Sequence, residues 1–135
     1  MKVLVDTSVW SLLLNRPGTT NHPAALYLEE QILNSAPIFI TGIIFQEILQ
    51  GIRSKSQFLR IEKYLRDFPF LETTRKVHEQ AAGLFNISRG MGVQSQTVDC
   101  LIAASAIHYG CHLLTTDRDF SRISGFMPLR LAAHS

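Results

Sequence analysis

The sequence predicts an α/β fold in which helices cover a parallel sheet. Short runs rich in β-branched residues alternate with longer stretches whose apolar residues recur at helical spacing, and this alternation is typical of β–α–β units. The chain has 135 residues, of which 46% are hydrophobic and 18% are charged, and it contains neither an internal repeat nor a low-complexity stretch. We therefore expect residues 1–135 to form a single domain with a hydrophobic core.

The chain begins with a strand and two helices. The run "KVLV" predicts the first strand, and "DTSVWSLLL" predicts a short helix that stops before Pro17 and Gly18. From about His22 the apolar residues again recur at helical spacing, until "NSAP" ends the pattern.

The second strand and two further helices follow. The run "IFI" predicts the strand, and Thr41 is suited to capping a helix that continues to about Gly51. Ser54 and Gln57 have the spacing of a capping box, so the next helix is expected to begin there. The segment "FPFLE" then predicts a poor, short strand.

Two longer helices and a closing strand–helix–strand unit are predicted in the remainder. Thr74 is expected to cap a helix that ends in "RGMG", and Thr97 is expected to cap "VDCLIAASAIHY", which Gly110 stops. The run "CHLLTT" predicts a strand, "DRDFSRI" a short helix, and "MPLRL" a last strand before a disordered end.

The number of cysteines and the hydropathy of the chain indicate in which cellular compartment the protein is expected. The two cysteines, Cys100 and Cys111, are too few for a disulfide framework and lack the paired spacing of a zinc site, which favours a reducing compartment. The apolar run at the N-terminus is only as long as a strand and is broken by Asp6, and no later segment approaches the roughly 18 apolar residues of a membrane span. We expect a cytoplasmic protein.

Four acidic residues are expected at one edge of the sheet. Asp6 and Asp117 follow the carboxyl ends of two predicted strands, and in open parallel sheets ligands bind outside those ends. Glu47 and Asp99 lie early in helices that begin at the same edge, each among apolar neighbours. Carboxylates in such surroundings are costly to bury unless a positive charge meets them, and Mg²⁺ or Mn²⁺ would meet all four.

Each acid also has a simpler explanation. Asp6 is a good helix N-cap, and Asp99 occupies a first helical turn, which the helix dipole favours for any acid. Glu47 is a possible ion-pair partner of Arg53, while Asp117 and Asp119 are compatible with solvated positions at a helix start. The argument for a metal site therefore depends on the acids lying together.

Three stretches of the chain resemble a known family. "VLVDTS" at the start, Glu47 within "FQEIL", and "VDCLIAASAIHYGCHLLTTDRDFSRI" near the end look like a PIN-domain ribonuclease, most closely a VapC-type toxin of a toxin–antitoxin pair. The resemblance implies a three-layer α/β/α sandwich around a mainly parallel sheet. It also implies divalent-metal-dependent endonucleolytic cleavage of RNA that leaves a 5′-phosphate and a 3′-hydroxyl. The residues that match the family's acidic positions are Asp6, Glu47, Asp99 and Asp117, with Asp119 at a more variable fifth position.

The residue types suit that chemistry. A phosphodiester resists attack by water because its oxygens are already negative, so a catalyst must neutralise charge and supply a better nucleophile. We expect Asp6, Asp99 and Asp117 to bind Mg²⁺ or Mn²⁺, with Glu47 completing a second site or positioning the attacking water. Hydroxyl residues nearby can orient the acids or contact phosphate, although turn and cap positions explain them equally well; they are Thr7, Ser8, Thr115 and Thr116.

The charge distribution fits an RNA substrate, and the resemblance is compatible with tRNA or rRNA as that substrate. The formal net charge is +2, from 13 basic and 11 acidic residues. Without the five acids of the predicted site, 13 basic residues face 6 acidic ones, an excess of 7 that suits a polyanion. Basic residues cluster on and before the fourth predicted helix, where a solvated helix face is the alternative explanation; they are Arg53, Lys55, Arg60, Lys63 and Arg66.

The resemblance also implies partners. These are a small cognate antitoxin, whose C-terminal segment occupies the active-site groove, and a second copy of the chain in a homodimer. The alternative to a nuclease is a non-catalytic PIN-like module that binds protein or RNA.

Two other kinds of chemistry are disfavoured. A zinc pair at His108 and His112 is disfavoured because Gly110 ends the helix between them. Phosphoryl-enzyme chemistry of the haloacid-dehalogenase kind needs a second aspartate at position 8, where this chain has Ser8. Four apolar helix residues can face either the core or a partner, and we expect them to face the core; they are Trp10, Leu13, Leu14 and Tyr64.

Overall fold

The computed structural model describes residues 1–15 and 21–132, with the side chain of residue 15 left out. The elements in chain order are β1 Val3–Val5, α1 Thr7–Asn15, α2 Pro23–Leu33, β2 Ile38–Thr41, α3 Gly42–Gln50, α4 Lys55–Leu65, β3 Phe70–Leu71, α5 Arg75–Gly90, α6 Thr97–Tyr109, β4 His112–Leu114 and α7 Asp119–Ser124. The predicted break at Pro17 and Gly18 and residues 133–135 of the predicted disordered end lie outside the described residues. Ala132, the first residue of that end, is instead buried, and its amide donates to the carbonyl of Leu113.

The four strands of the described chain form one parallel sheet in the order β3-β2-β1-β4. Val3 of β1 pairs with Ile38 of β2 on one side and with His112 of β4 on the other. Helices flank this sheet, with α5 packed along α6 and α1 packed against α2 and α3. The prediction of an α/β sandwich with a parallel sheet is confirmed.

Burial explains the composition of β1. Val3, Leu4 and Val5 have no exposed surface, as expected for a parallel strand that helices cover on both faces, and this is why the strand is a continuous apolar run. Trp10 of α1 is also fully buried, with its ring centroid 5.0 Å from that of Phe68. None of the helices in the described ranges combines the length and hydropathy that a membrane crossing requires.

The cap predictions divide into those that the structure confirms and those that it corrects. The side chains of Ser54 and Thr74 accept hydrogen bonds from the amides of Gln57 and Val77, so both begin helices as predicted. Thr97 is instead the first residue of α6, because Gln96 occupies the N-cap position with extended backbone angles. Gly110 ends α6 in the left-handed conformation, at φ 67°, which glycine adopts without steric cost.

The prediction of a last strand at "MPLRL" is wrong. Only Leu131 pairs with the sheet, through one parallel bridge to Leu113 at the outer side of β4. Met127 still belongs to the turn that follows α7, since its amide donates to the carbonyl of Ile123, and Pro128 has no amide to donate. Too little of the segment is therefore extended to form a strand.

The prediction that four apolar helix residues face the core holds only in part. Trp10 is buried, but Leu13 and Leu14 are half-buried and Tyr64 is 37% exposed. Leu13, Leu14 and Tyr64 line an open apolar groove bounded by α1, α2 and α4, and this groove keeps Tyr64 at the surface.

Candidate active site

Strand pairing brings Asp6 next to the segment that carries Asp117. Val5 and Leu114, the last residues of β1 and β4, are partners in the parallel ladder. The amide of Asp6 donates to the carbonyl of Leu114 at 2.9 Å, which extends that ladder by one bond. The residues that follow the two strands therefore leave the sheet side by side.

The carboxylate of Asp6 is held by two hydroxyls. It is only 6% exposed, and its Oδ2 accepts hydrogen bonds from Ser8 Oγ and Thr115 Oγ1, each at 2.8 Å. Asp6 does stand immediately before α1, and its carbonyl accepts the amides of Val9 and Trp10. Its carboxylate, however, bonds hydroxyls and not the amides of that helix among the described residues, so capping does not explain its side chain.

The two hydroxyls that hold Asp6 are themselves held by amides of the neighbouring segment. Ser8 Oγ accepts from the amide of Thr116 at 3.1 Å, and Thr115 Oγ1 accepts from the amide of Asp117 at 3.0 Å. Each hydroxyl therefore donates to Asp6 and accepts from the β4 segment. Of the four hydroxyl residues singled out from the sequence, Thr116 contributes its backbone amide to this network.

Glu47 is brought to the same place by Thr7. Thr7 Oγ1 donates to Glu47 Oε1 at 2.8 Å, which joins the start of α1 to the second turn of α3 across 40 residues of sequence. Because Thr7 directly follows Asp6, this bond places Glu47 beside the Asp6 network. Glu47 forms no ion pair with Arg53 in the part of the chain that the structure describes.

Asp99, Asp117 and Asp119 complete the cluster. One carboxylate oxygen from each of these residues lies within 4.8 Å of the others. Asp117 Oδ1 also accepts the amide of Asp119 at 2.9 Å, which orients the Asp117 side chain towards the start of α7. Three oxygens at such spacing can contact one cation.

The pKa of Asp99 shows that the five acids share one electrostatic environment. The pKa of Asp99 is raised from 3.8 to about 6. Burial is the largest cause, and the charges of four neighbouring carboxylates contribute the rest, in the order Asp117, Asp6, Asp119 and Glu47. The other four sequence-predicted acids therefore all lie close enough to Asp99 for their charges to act on it. We name the five acids the acid cluster.

Little positive charge balances the acid cluster. Arg122 approaches Asp119, with its Nη1 3.6 Å from Oδ1, and both side chains are substantially exposed. Over the described ranges, none of the other four acids forms an ion pair. The sequence reasoning missed Arg122, although its position three residues after Asp119 on a helix is the usual spacing for such a pair.

Oxygen-only ligands with uncompensated negative charge suit a hard divalent cation. Mg²⁺ and Mn²⁺ prefer carboxylate and water oxygens, and a divalent ion would offset the repulsion that raises the pKa of Asp99. The side chains present therefore fit the metal that the resemblance implies.

Comparison with known proteins agrees with the fold and the order of these residues. The chain belongs to the PIN domain family, whose model matches residues 3–125. It is 28% identical over 134 residues to Ribonuclease VapC11 of Mycobacterium tuberculosis, which covers 97% of this chain and 98% of that protein. The resemblance to VapC-type PIN domains predicted from the sequence is confirmed.

Solved structures show the same fold. A DNA-bound VapBC from Salmonella typhimurium superposes with a TM-score of 0.80 at 19% identity, covering 100% of this chain and 99% of the other. VapBC2 from Rickettsia felis, bound to a DNA fragment from its promoter, gives a TM-score of 0.77 at 22% identity, with 98% of both chains covered.

Proposed function

We propose that this chain is a divalent-metal-dependent endoribonuclease that acts as the toxin of a VapBC-like toxin–antitoxin pair. The observation that carries the proposal is the acid cluster, in which five carboxylates from four separate segments share one environment and three of them offer oxygens within 4.8 Å. The similarity to proteins named VapC ribonucleases supports RNA as the substrate class. We propose that the whole chain acts as one domain.

Asp99, Asp117 and Asp119 are the residues that we expect to hold Mg²⁺ or Mn²⁺, together with Asp6. Asp6 uses Oδ2 to accept two hydroxyls, which leaves Oδ1 available to the metal directly or through water. The bound metal supplies positive charge to the phosphate and lowers the pKa of a water molecule that it binds.

Glu47 is the residue that we expect to orient the attacking water or complete a second metal site. Thr7 occupies Oε1, so the lone pairs of Oε2 remain available to accept a proton from water. The bond from Thr7 also restricts the rotation of the Glu47 carboxylate, which keeps that oxygen aimed at one position. Attack of this water on the phosphorus would break the bond to the 3′ oxygen, which takes up a proton from solvent while Glu47 holds the proton of the attacking water. The products are a 5′-phosphate and a 3′-hydroxyl.

Ser8 and Thr115 are positioning residues in this proposal. Because each donates to Asp6 Oδ2 and accepts an amide from the β4 segment, together they fix the distance between Asp6 and Asp117. Thr7 likewise positions Glu47, because its hydroxyl donates to Glu47 Oε1. Preorganised ligands bind a metal more tightly than mobile ones because less conformational entropy is lost on binding.

The partners and the compartment follow from the same assignment. The solved relatives are named as VapBC complexes, and we propose that this chain likewise binds a small antitoxin that occupies the groove at the acid cluster. We also propose that the chain forms a homodimer and acts in the cytoplasm, where tRNA and rRNA are found. Exposed basic residues on and near α4 are candidates for the RNA contacts; they are Arg53, Lys55, Arg60, Lys63 and Arg66.

The direct test is cleavage of RNA by purified protein with Mg²⁺ or Mn²⁺ and with EDTA. We expect cleavage only with the metal, and we expect Asp6→Asn to reduce it at least about 100-fold because it removes one ligand charge. Asp67→Asn is the matched control, since Asp67 is an exposed aspartate after α4 and outside the acid cluster. Sequencing of RNA ends after brief induction of wild type and Asp6→Asn in cells identifies the target.

The outcome separates a nuclease from a binding module. Metal-dependent cleavage that survives Asp67→Asn and is lost in Asp6→Asn supports the nuclease. A protein whose melting temperature does not respond to Mg²⁺ or Mn²⁺, and which leaves RNA intact, is the non-catalytic alternative.

A further inference from the structure

A second concave site lies where α5 ends and α6 begins. This cleft has a volume of about 450 Å³ and is lined by Phe85 and Arg89 of α5 and by residues 93–97, which lead into α6. We name it the α5–α6 cleft. Its lining contains one cation, one aromatic ring and several uncharged polar side chains, and no acidic residue.

Arg89 and Phe85 form a stacked pair within this cleft. The guanidinium carbon of Arg89 lies 5.7 Å from the centroid of the Phe85 ring. Arg89 Nη2 also donates to Asn86 Oδ1 at 3.0 Å, so the guanidinium is held at two points although the residue is exposed. Arg89 is absent from the ion pairs of the described residues, and its positive charge is available to a ligand.

The α5–α6 cleft and the acid cluster both include a residue of the first turn of α6. Thr97, the first residue of α6, lines the cleft, and Asp99 lies two residues further along the same first turn. A helix rises about 1.5 Å per residue, so the two positions lie within about one turn of each other along the axis. Positions two apart on a helix point to different sides, so an RNA strand must pass over the N-terminal end of α6 for a nucleotide near the scissile phosphate to reach the cleft.

We propose that the α5–α6 cleft binds the base of an unpaired nucleotide next to the scissile phosphate, and that Arg89 stacks on that base. The proposal rests on the function proposed above. Unpaired RNA bases stack on aromatic rings and on arginine guanidinium planes, and the cleft offers both groups next to each other in Phe85 and Arg89.

Gln94 and Gln96 are the residues that select among bases in this proposal. Both are exposed and lie in the cleft lining, and an amide side chain offers a donor and an acceptor to a base edge. Gln96 is also the N-cap residue of α6 and makes no capping hydrogen bond with its side chain, so its amide group is free for this role in the described structure. Substitutions at these two positions are expected to change the cleavage sequence more than the rate.

Binding of a short, unstructured, fluorescently labelled RNA in EDTA tests the proposal without cleavage. We expect Arg89→Ala to weaken binding about tenfold. Arg89→Lys keeps the charge but loses the planar stacking surface, so it should also bind several-fold more weakly. Phe85→Leu keeps the apolar contact and removes the ring, and it should weaken binding to a smaller extent.

Arg75→Ala is the matched control. Arg75 is exposed at the opposite end of α5, about 20 Å along the helix from Arg89 at 1.5 Å per residue, and its loss removes the same charge. We expect less than a twofold change for this variant. Circular dichroism and thermal melting of all variants confirm that the fold is kept.

A series of RNAs, each lacking one base, distinguishes stacking from attraction to phosphate. If Arg89 stacks on a base, removal of that one base abolishes the difference between wild type and Arg89→Ala. The proposal is overturned if Arg89→Ala binds as Arg75→Ala does, or if its deficit is the same for every RNA of the series.

Cleavage kinetics keep this proposal separate from the nuclease assignment. With metal, Arg89→Ala should raise KM while kcat stays near that of wild type, because Arg89 is outside the acid cluster. If the wild-type protein binds RNA in an Arg89-dependent way but does not cleave it, the nuclease assignment is refuted and base binding in the α5–α6 cleft is supported. If Arg89→Ala and Phe85→Leu leave cleavage unaffected, the nuclease assignment is supported and base binding in the α5–α6 cleft is refuted.

Discussion

Replacement of Asp99 by asparagine is expected to stabilise the metal-free protein and to impair metal binding. Asp99 has a raised pKa because burial and four neighbouring carboxylates disfavour its charged form. Asparagine has nearly the same shape without the charge, so it removes the repulsion. The same substitution removes a carboxylate that we expect to contact the metal, so stability and activity should change in opposite directions.

The magnitude follows from the shift in pKa. A rise from 3.8 to about 6 is roughly two units, and at 1.36 kcal/mol per unit it corresponds to an upper limit of about 3 kcal/mol. Asp99 is only half-buried, and solvent screening reduces the expected gain to about 1–2 kcal/mol. For a domain of this size the gain corresponds to a melting temperature about 3–8 °C higher.

The stability difference between Asp99→Asn and wild type should depend on pH. At pH 7.5 Asp99 is ionised in both the folded and the unfolded chain, so the folded wild type carries the full repulsion. As the pH falls through about 6, the folded protein binds a proton before the unfolded chain does, and the destabilisation disappears progressively towards pH 4. The advantage of Asp99→Asn should therefore be full above about pH 6 and shrink between pH 6 and pH 4.

The assay is urea unfolding of wild type, Asp99→Asn and Asp67→Asn in EDTA at pH 7.5 and at pH 5. Asp67→Asn, at an exposed site, should stay within about 0.5 kcal/mol of wild type. Added Mg²⁺ or Mn²⁺ should stabilise wild type more than Asp99→Asn. An Asp99→Asn protein that is no more stable than wild type at pH 7.5 without metal would refute the reasoning, because burial and the neighbouring carboxylates would then not disfavour the charged form of Asp99.

Three further substitutions probe positioning, packing and backbone conformation. Thr7→Val removes the hydroxyl that donates to Glu47, and the cleavage rate should fall about 10- to 100-fold without a change in melting temperature, whereas Thr7→Ser should keep most of the activity. Trp10→Ala should lower the free energy of unfolding by about 3–5 kcal/mol in urea titrations, since Trp10 is fully buried; a loss below 1 kcal/mol would contradict its place in the core. Gly110→Ala should cost about 1–2 kcal/mol by the same measurement because φ is 67° there, and an unchanged midpoint would show that the turn relaxes.

Local sequence predicted the elements because their signals act over a few residues. The buried run before Asp6, the side-chain caps at Ser54 and Thr74, and the left-handed glycine at Gly110 each depend on near neighbours in the chain. The failed prediction of the last strand depends on more distant packing, whereas the predicted cap at Thr97 was misplaced by one position because Gln96 has the extended N-cap conformation. Whether "MPLRL" becomes a strand depends on how the chain leaves α7 and meets the outer side of β4, and one bridge at Leu131 is the result.

The sequence by itself determined which residue types are available to the acid cluster and on which elements they lie. Only the tertiary structure decided that Thr7 holds Glu47, that Thr115 holds Asp6 across 109 residues, and that a cleft opens where α5 ends and α6 begins. The physical reason is that strand register and helix packing set distances between residues remote in sequence, and a hydrogen bond or a shared cation depends on differences of less than 1 Å in those distances.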